Sequence, residues 1–216
     1  MPEYIQIQTY AKCNEDTFTT LLRRYRDVLR QLGCEDAHVL TWLSTLPWPT
    51  TEDDMFGDIY ASPFTLSPDN MDDIACAGLH VSLFSYSALP SIEELPAWIG
   101  LNLLFDSETL KNGKTDTYHP GVGATLWQIM LELIEAFPEI GVYLTDEWQE
   151  NRSWRALTEG EGNPWAFDLA IFPRRLSHDF EPSPPEFEGT VLEQAFGFAL
   201  EKRWETLPWV EAEDMW

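Results

Sequence analysis

Cationic residues are scarce in this chain. Thirteen Lys and Arg stand against thirty-seven Asp and Glu, which gives a formal net charge of -24. Nucleic-acid binding depends on cationic contacts to phosphate, and anionic membranes repel negative proteins, so we expect no direct nucleic-acid partner and no membrane partner. The same charge favours rapid association with a basic protein, although solubility alone also explains it.

Cysteines are few, and long apolar runs are missing. The three cysteines, Cys13, Cys34 and Cys76, are an odd number and form no CxxC pair, which indicates neither a disulfide framework nor a zinc ribbon. No apolar run is long enough to span a bilayer, and Met1–Tyr10 lacks the pattern of a signal peptide. We therefore expect a cytoplasmic protein.

Signatures of catalysis and of cofactor binding are also missing. The four histidines form no HxH or HExxH pair, no serine lies in a GxSxG elbow, and the glycines near Pro120 lack P-loop spacing. The sequence therefore predicts no catalytic residue, no metal ligand and no cofactor. The alternative is a hydrolase-like or other enzyme with a carboxylate and histidine cleft, in which His38 and His80 are neighbours across a sheet.

Aromatic residues are abundant, with ten Trp, twelve Phe and seven Tyr. Side chains of this size supply the burial that offsets chain entropy, so the chain is expected to pack a core without metals or disulfides. We predict a single compact domain over residues 1–216. Two fused halves, 1–98 and 99–216, are the alternative.

The apolar periodicity predicts three main helices. The first runs from Phe18 to Leu32 after a cap at Asn14 or Asp16, and the second covers Val122–Phe137. Thr190 and Glu193 form a capping box that predicts the third helix. Because the second helix is apolar nearly all round, we expect it to be central or to form a homodimer interface.

Short alternating or apolar runs predict the strands, which are Tyr4–Tyr10, Val39–Thr45, Leu79–Tyr86, Leu101–Phe105, Val142–Trp148 and Trp165–Phe172. Pro47–Asp73 is predicted to be a long loop, and Ser91 to begin a short helix. The fold class is therefore α+β, with a mixed or antiparallel sheet flanked by three main helices. A duplicated strand-helix-strand-strand unit is an alternative, since Leu40 and Thr41 are echoed by Leu144 and Thr145.

Acidic and aromatic side chains alternate along the predicted long loop. Aromatic side chains fill pockets at protein interfaces and charges select the partner, so this mixture is typical of a partner-binding surface. The predicted partner-binding residues are Trp48, Glu52, Asp53, Asp54, Phe56, Asp58, Tyr60, Asp69, Asp72 and Asp73. The opposite charge gathers on the first helix at Arg23, Arg24, Arg26 and Arg30, which form either a second binding surface or internal charge compensation.

In its acidic composition, its tryptophan content and its order of elements, the chain resembles the immunity proteins of bacterial polymorphic toxins. The resemblance implies an inhibitor that occludes a basic toxin or effector, with acidic loop residues against the active site of the toxin. An oligomeric phage or housekeeping protein without catalysis is a further alternative.

Overall fold

The computed structural model describes residues 3–48, 58–84, 97–160 and 162–213. Its strands are β1 (Tyr4–Cys13), β2 (Asp58–Tyr60), β3 (Phe64–Leu66), β4 (Ile74–Cys76), β5 (Gly78–Phe84), β6 (Ala97–Asp106), β7 (Lys111–Asn112), β8 (Thr117–Tyr118), β9 (Val142–Asp146), β10 (Leu169–Pro173), β11 (Phe187–Val191) and β12 (Ala195–Leu200). Its helices are α1 (Glu15–Gln31), α2 (Ala37–Thr45), α3 (Ser107–Leu110), α4 (Val122–Ala136), α5 (Arg152–Glu159) and α6 (Pro208–Glu213), with 3₁₀ segments at Arg174–Phe180 and Glu201–Arg203.

Eight of these strands form one antiparallel sheet in the order β11-β12-β10-β9-β1-β6-β5-β2. Strand β1 lies in its middle, paired with β6 on one side and β9 on the other. Ile5 and Ile7 point to the face that α1 and α4 cover, as the alternation predicts. Gln6 and Gln8 point to the opposite face, here called the second face.

Helix α1 begins and ends as its sequence predicts. The Asn14 side chain accepts a hydrogen bond from Thr17 N at 2.9 Å, and Thr17 Oγ1 accepts one from Asn14 N at 2.9 Å. This reciprocal capping satisfies two backbone donors that the helix itself leaves free. Gly33 follows with φ +74°, and a side chain at this position would have its Cβ 2.4 Å from the Ser67 carbonyl oxygen.

Helix α4 lies at the centre of the molecule, packed against α1, α6 and the sheet. Its N-cap residue, Gly121, supplies no side-chain cap. Glu211 of α6 takes this role, because its carboxylate accepts hydrogen bonds from Gly121 N at 2.7 Å and Ala124 N at 3.0 Å. The central position of α4 agrees with the prediction from its apolar side chains, which lie on nearly all sides of the helix. The alternative, a homodimer interface formed by this helix, stays a prediction.

Residues 39–45 are helical, so the strand predicted there is wrong. Asp36 caps α2 by accepting hydrogen bonds from His38 N at 2.7 Å and Val39 N at 3.1 Å. Val39 and Leu43, one helical turn apart, are the buried side chains of this helix. His38 is therefore not a neighbour of His80 across a sheet, and Leu40 and Thr41 are helical whereas Leu144 and Thr145 lie in β9.

The third predicted helix is also wrong, because residues 187–200 form the β11–β12 hairpin. Ala195, Gly197 and Ala199 alternate with larger side chains along β12, and they face α4. A Cβ on Gly197 would lie 2.4 Å from the Trp127 ring, so the strand approaches the helix as closely as a glycine allows. This close approach depends on tertiary packing, which overrides the helical spacing of the apolar residues Leu192, Ala195, Phe196 and Ala199.

Other elements differ from the prediction in smaller ways. The segment predicted as a long loop contains β2 and β3, and its residues 49–57 lie outside the described residues, as does the short helix at Ser91. Helix α5 lies between the strands predicted at Val142–Trp148 and Trp165–Phe172, where the sequence predicts no helix. The α+β class and the antiparallel form of the sheet are confirmed.

The second face of the sheet has two parts of different chemistry. Around β10 and the neighbouring end of β1 an aromatic cluster lies under α5, with Tyr10 stacked on Trp154 at a ring distance of 5.7 Å. Toward the start of β1, at Gln6 and Gln8, and at Asn102 of β6 and Ser82 of β5, polar side chains replace the aromatic ones. This polar part contains the candidate site.

Candidate functional site

The structure places six of the ten predicted partner-binding residues, while Glu52, Asp53, Asp54 and Phe56 lie outside the described residues. The exposed ones are Asp58 on β2 and Asp69, Asp72 and Asp73 in the turn between β3 and β4. None of these four aspartates takes part in the ion pairs of the described residues. We call them the exposed aspartates.

The two described aromatic residues of the predicted surface, Trp48 and Tyr60, pack against other rings of the fold. Trp48 packs edge-on against Phe18 with ring centroids 5.4 Å apart. Tyr60 lies between Trp42 at 5.5 Å and Phe64 at 6.4 Å. Both are half-buried, and their part in binding a partner stays a prediction.

Three of the four arginines on α1 are paired within the chain. Arg24 binds Glu139 at 3.2 Å, while Arg26 and Arg30 both bind Asp27, at 3.3 and 3.4 Å. Two carboxylates, Glu139 and Asp27, therefore compensate part of this positive face. Pairs this exposed contribute about 0 to 1 kcal/mol each to stability.

A buried ionic cluster lies where β10, β7 and β8 meet the 3₁₀ turn at Glu201–Arg203. Asp168 is fully buried and binds Lys111 Nζ at 2.6 Å, Tyr118 Oη at 3.0 Å and Arg203 Nε at 3.2 Å. Asp116 pairs with both cations from the other side. We call these five residues the Asp168 cluster.

Contacts within the Asp168 cluster satisfy its charges. Burial of a carboxylate or an ammonium is costly unless the charge is paired and hydrogen-bonded, and Asp168 receives donors on both oxygens. Burial and the charge of Asp168 raise the pKa of the Tyr118 hydroxyl. The hydroxyl therefore stays protonated and donates its hydrogen bond to Asp168. The Asp168 cluster therefore joins segments that are distant in the sequence. Both carboxylate oxygens of Asp168 accept hydrogen bonds within the chain, so neither is available to a ligand.

The polar part of the second face has the opposite property, because several of its buried polar atoms have no hydrogen-bond partner among the described residues. Asn102 on β6 is fully buried, and neither its side-chain oxygen nor its nitrogen has a hydrogen-bond partner within the described chain. Ser82 Oγ, Gln8 Nε2 and Gln6 Oε1 are in the same condition. Gln8 Oε1, in contrast, accepts a hydrogen bond from Thr145 Oγ1 at 3.1 Å. Since buried polar groups are normally paired, this concentration on one face needs an explanation.

A cleft of about 440 Å³ opens beside these side chains, and we call it the Gln6 cleft. Tyr4, Gln6 and His80 lie on its floor, Ile59 of the edge strand β2 lines one side, and Glu147 and Glu150 line the other. Gln6 is only 5% exposed. Trp148, between the two glutamates, is 70% exposed. The described lining therefore combines two carboxylates and one amide group with apolar side chains such as Ile59 and Leu104, and it contains neither lysine nor arginine.

The electrostatic potential at this cleft is negative. The charge of Glu3 raises the pKa of the Tyr4 hydroxyl, and partial burial, Asp106 and Glu147 act in the same direction. Glu147 and Glu150 form no ion pair among the described residues. A cation in the cleft would thus meet carboxylates that form no ion pair with the lysines and arginines of the described residues.

The remaining candidates for chemistry do not assemble. Burial raises the pKa of the thiols of Cys13, Cys34 and Cys76, and that of Cys13 reaches about 11. These thiols are therefore poor nucleophiles at neutral pH. Within residues 3–48, 58–84, 97–160 and 162–213, no group of three His, Cys, Asp or Glu is arranged to hold a metal ion.

Comparison of the chain with protein-family models, with curated proteins and with solved structures gives no match, and so no enzyme family or homologue is found. No helix in the described part of the chain is long and apolar enough to cross a membrane.

Proposed function

We propose that this chain is a cytoplasmic protein-binding protein that captures a basic partner, and that it acts as an immunity or inhibitor protein that occludes a basic toxin or effector. The observation that carries the proposal is the state of the exposed aspartates. They are open to solvent and are not used in ion pairs of the described chain, whereas Asp27, Asp116 and Asp168 are used.

The contrast between the two sets of aspartates has a physical meaning. An internally paired carboxylate is already committed to the fold, while an unpaired exposed one is available to a cation of another molecule. Charge complementarity acts mainly on association rate and on the choice of partner. With a net charge of -24, the chain attracts basic proteins and repels acidic ones.

Capture from lysate of the native cell tests the proposal. The tagged chain should retain a basic protein at low salt and release it as the salt concentration rises, because salt screens charge pairs at a surface. Mass spectrometry identifies the retained protein, and addition of the chain should inhibit its activity. Failure to retain any basic protein at any ionic strength would contradict the proposal.

Charge-reversal variants locate the surface. Asp58→Lys/Asp69→Lys/Asp72→Lys should slow association with the captured protein at low salt by at least about tenfold, since like charges then face each other. The matched control is Glu159→Lys/Asp179→Lys/Glu188→Lys, which changes the net charge equally at exposed positions elsewhere. Equal effects of the two triple variants would show that only the total charge matters, and would exclude the exposed aspartates as the contact surface.

A further inference from the structure

The lining of the Gln6 cleft contains hydrogen-bond acceptors that suit a ligand. Gln6 lines it with a side chain that is 5% exposed and an oxygen for which no described residue supplies a donor. Glu147 and Glu150 supply negative charge at the side of the cleft. The two observations are independent, since one concerns an unsatisfied acceptor within the sheet and the other concerns charge on a loop.

Both observations call for a ligand that donates hydrogen bonds and carries positive charge. An amide oxygen and carboxylates are all acceptors. The Gln6 oxygen is buried in the structure. Rotation of the amide about its last side-chain bond exchanges the positions of the oxygen and the nitrogen and directs the oxygen to the cleft. A metal ion fits less well, because no cluster of three ligating side chains exists among the described residues.

Guanidinium matches this set of acceptors better than ammonium. Its planar fork carries five N–H donors, which is enough in number for two carboxylates and an amide oxygen. It also stacks on aromatic faces, and Tyr4 lines the cleft. An ammonium group is a compact, strongly hydrated charge with three donors, so it fills fewer of these positions.

We propose that the Gln6 cleft binds the guanidinium group of an arginine side chain from a protein partner, with Gln6, Glu147 and Glu150 as acceptors. The inference rests on the proposed function only in naming a protein as the source of the group. Trp148, exposed between the two glutamates, is placed to contact the chain that carries the arginine.

Titration of the ¹⁵N-labelled protein with N-acetyl-L-argininamide, followed by NMR, tests the proposal. Saturable shifts are expected at the Gln6 side-chain amide and at the backbone amides of Glu147 and Glu150, with a dissociation constant in the millimolar range. N-acetyl-L-citrullinamide, which has nearly the same shape without the charge, should give no saturable shift. Saturable binding of the citrulline compound with equal affinity, or no saturable shift with the arginine compound, would overturn the proposal.

Substitutions separate the contributions. Glu147→Gln/Glu150→Gln should weaken binding at least about tenfold, because both charged acceptors are lost. Glu186→Gln/Glu188→Gln, with the same change of charge at the far edge of the sheet, should leave the affinity unchanged. Gln6→Leu should weaken it about tenfold, as expected for a lost hydrogen bond to a charged group. An affinity that the first double variant does not alter contradicts the assignment.

A third comparison distinguishes a protein arginine from the free amino acid. The carboxylates around the cleft repel an α-carboxylate, so free L-arginine should bind several-fold more weakly than the blocked amide. Tighter binding of free L-arginine would overturn the assignment to a protein side chain. These measurements use small ligands, so their outcome is independent of whether the exposed aspartates capture a protein.

Discussion

Lys111 Nζ lies 2.6 Å from Asp168 Oδ2, and the two side chains are 1% and 0% exposed. The pair joins the β7–β8 hairpin to β10, two segments that are separated by 57 positions in the sequence. Lys111 also lies 4.6 Å from the centre of the Tyr118 ring. The Lys111 side chain therefore contacts both the Asp168 carboxylate and the Tyr118 ring.

Lys111→Met is expected to reduce the free energy of unfolding by about 3 to 5 kcal/mol, because it leaves the Asp168 carboxylate buried beside one cation fewer. Urea denaturation at pH 7 measures the change. Lys114→Met, at an exposed position of the same hairpin, is the control and should change stability by less than about 0.5 kcal/mol. A loss of the same size in both variants would refute the structural role given to the pair.

Asp146 supplies an expectation about pH. Burial raises the pKa of its carboxyl group, as does the charge of Asp168. Because the folded-state pKa is above the unfolded one, ionisation lowers stability at neutral pH, and this loss disappears as the pH falls below the unfolded pKa. The group therefore makes the protein less stable as the pH rises through the interval between the two values.

Asp146→Asn should remove this pH-dependent loss. An asparagine oxygen can still accept the hydrogen bonds from Trp148 N and Gln149 N, at 2.8 and 2.9 Å in the native chain. We expect the variant to be at least as stable as the native chain at pH 7, and its advantage to vanish at acid pH. Denaturation curves over a pH series check this, and an advantage that grows on acidification would contradict it.

Asn102 tests whether the polar part of the second face is retained for binding. Its amide is fully buried without a partner among the described residues, a state that costs about 1 to 3 kcal/mol. Asn102→Leu is therefore expected to raise the free energy of unfolding, as seen in chemical denaturation. Thr145→Val is the matched control on the same face, and it should lower stability because it breaks the hydrogen bond to Gln8. Destabilisation by Asn102→Leu would show that the amide contributes to folding.

The elements that the sequence predicts well are those with strong local signals. Helix α1 has a capping residue at Asn14 and a glycine at its end, and α4 has an apolar pattern too long for a strand. The predictions at residues 39–45 and 190–204 fail for a different reason. In both segments a short apolar run fits the periodicity of a helix as well as that of a strand. The structure depends on the Asp36 cap in the first segment and on the close approach of Gly197 to Trp127 in the second.

The candidate site was harder to predict than the fold. Gln6 and Gln8 look like the solvent side of a half-buried strand, and only the strand order shows that both faces of β1 are covered. One feature of the sequence does indicate buried polar positions, because Asn102 and Asp168 are each the single polar residue within an apolar run. The exposed aspartates are found by composition alone, whereas the half-buried state of Trp48 and Tyr60 depends on contacts with distant residues.

The position of β1 at the centre of the sheet has a consequence for how the chain acquires its structure. The hydrogen bond from Thr9 to Leu101 closes a separation of 92 positions, and that from Thr145 to Gln8 closes one of 137. Both edges of the earliest strand thus stay open during synthesis until much of the chain has followed. Such a topology slows folding, because large loops must close before contacts compensate for the lost entropy. A strand from the middle of the finished sheet is therefore exposed for a long time in a nascent chain, where chaperones or aggregation can reach it.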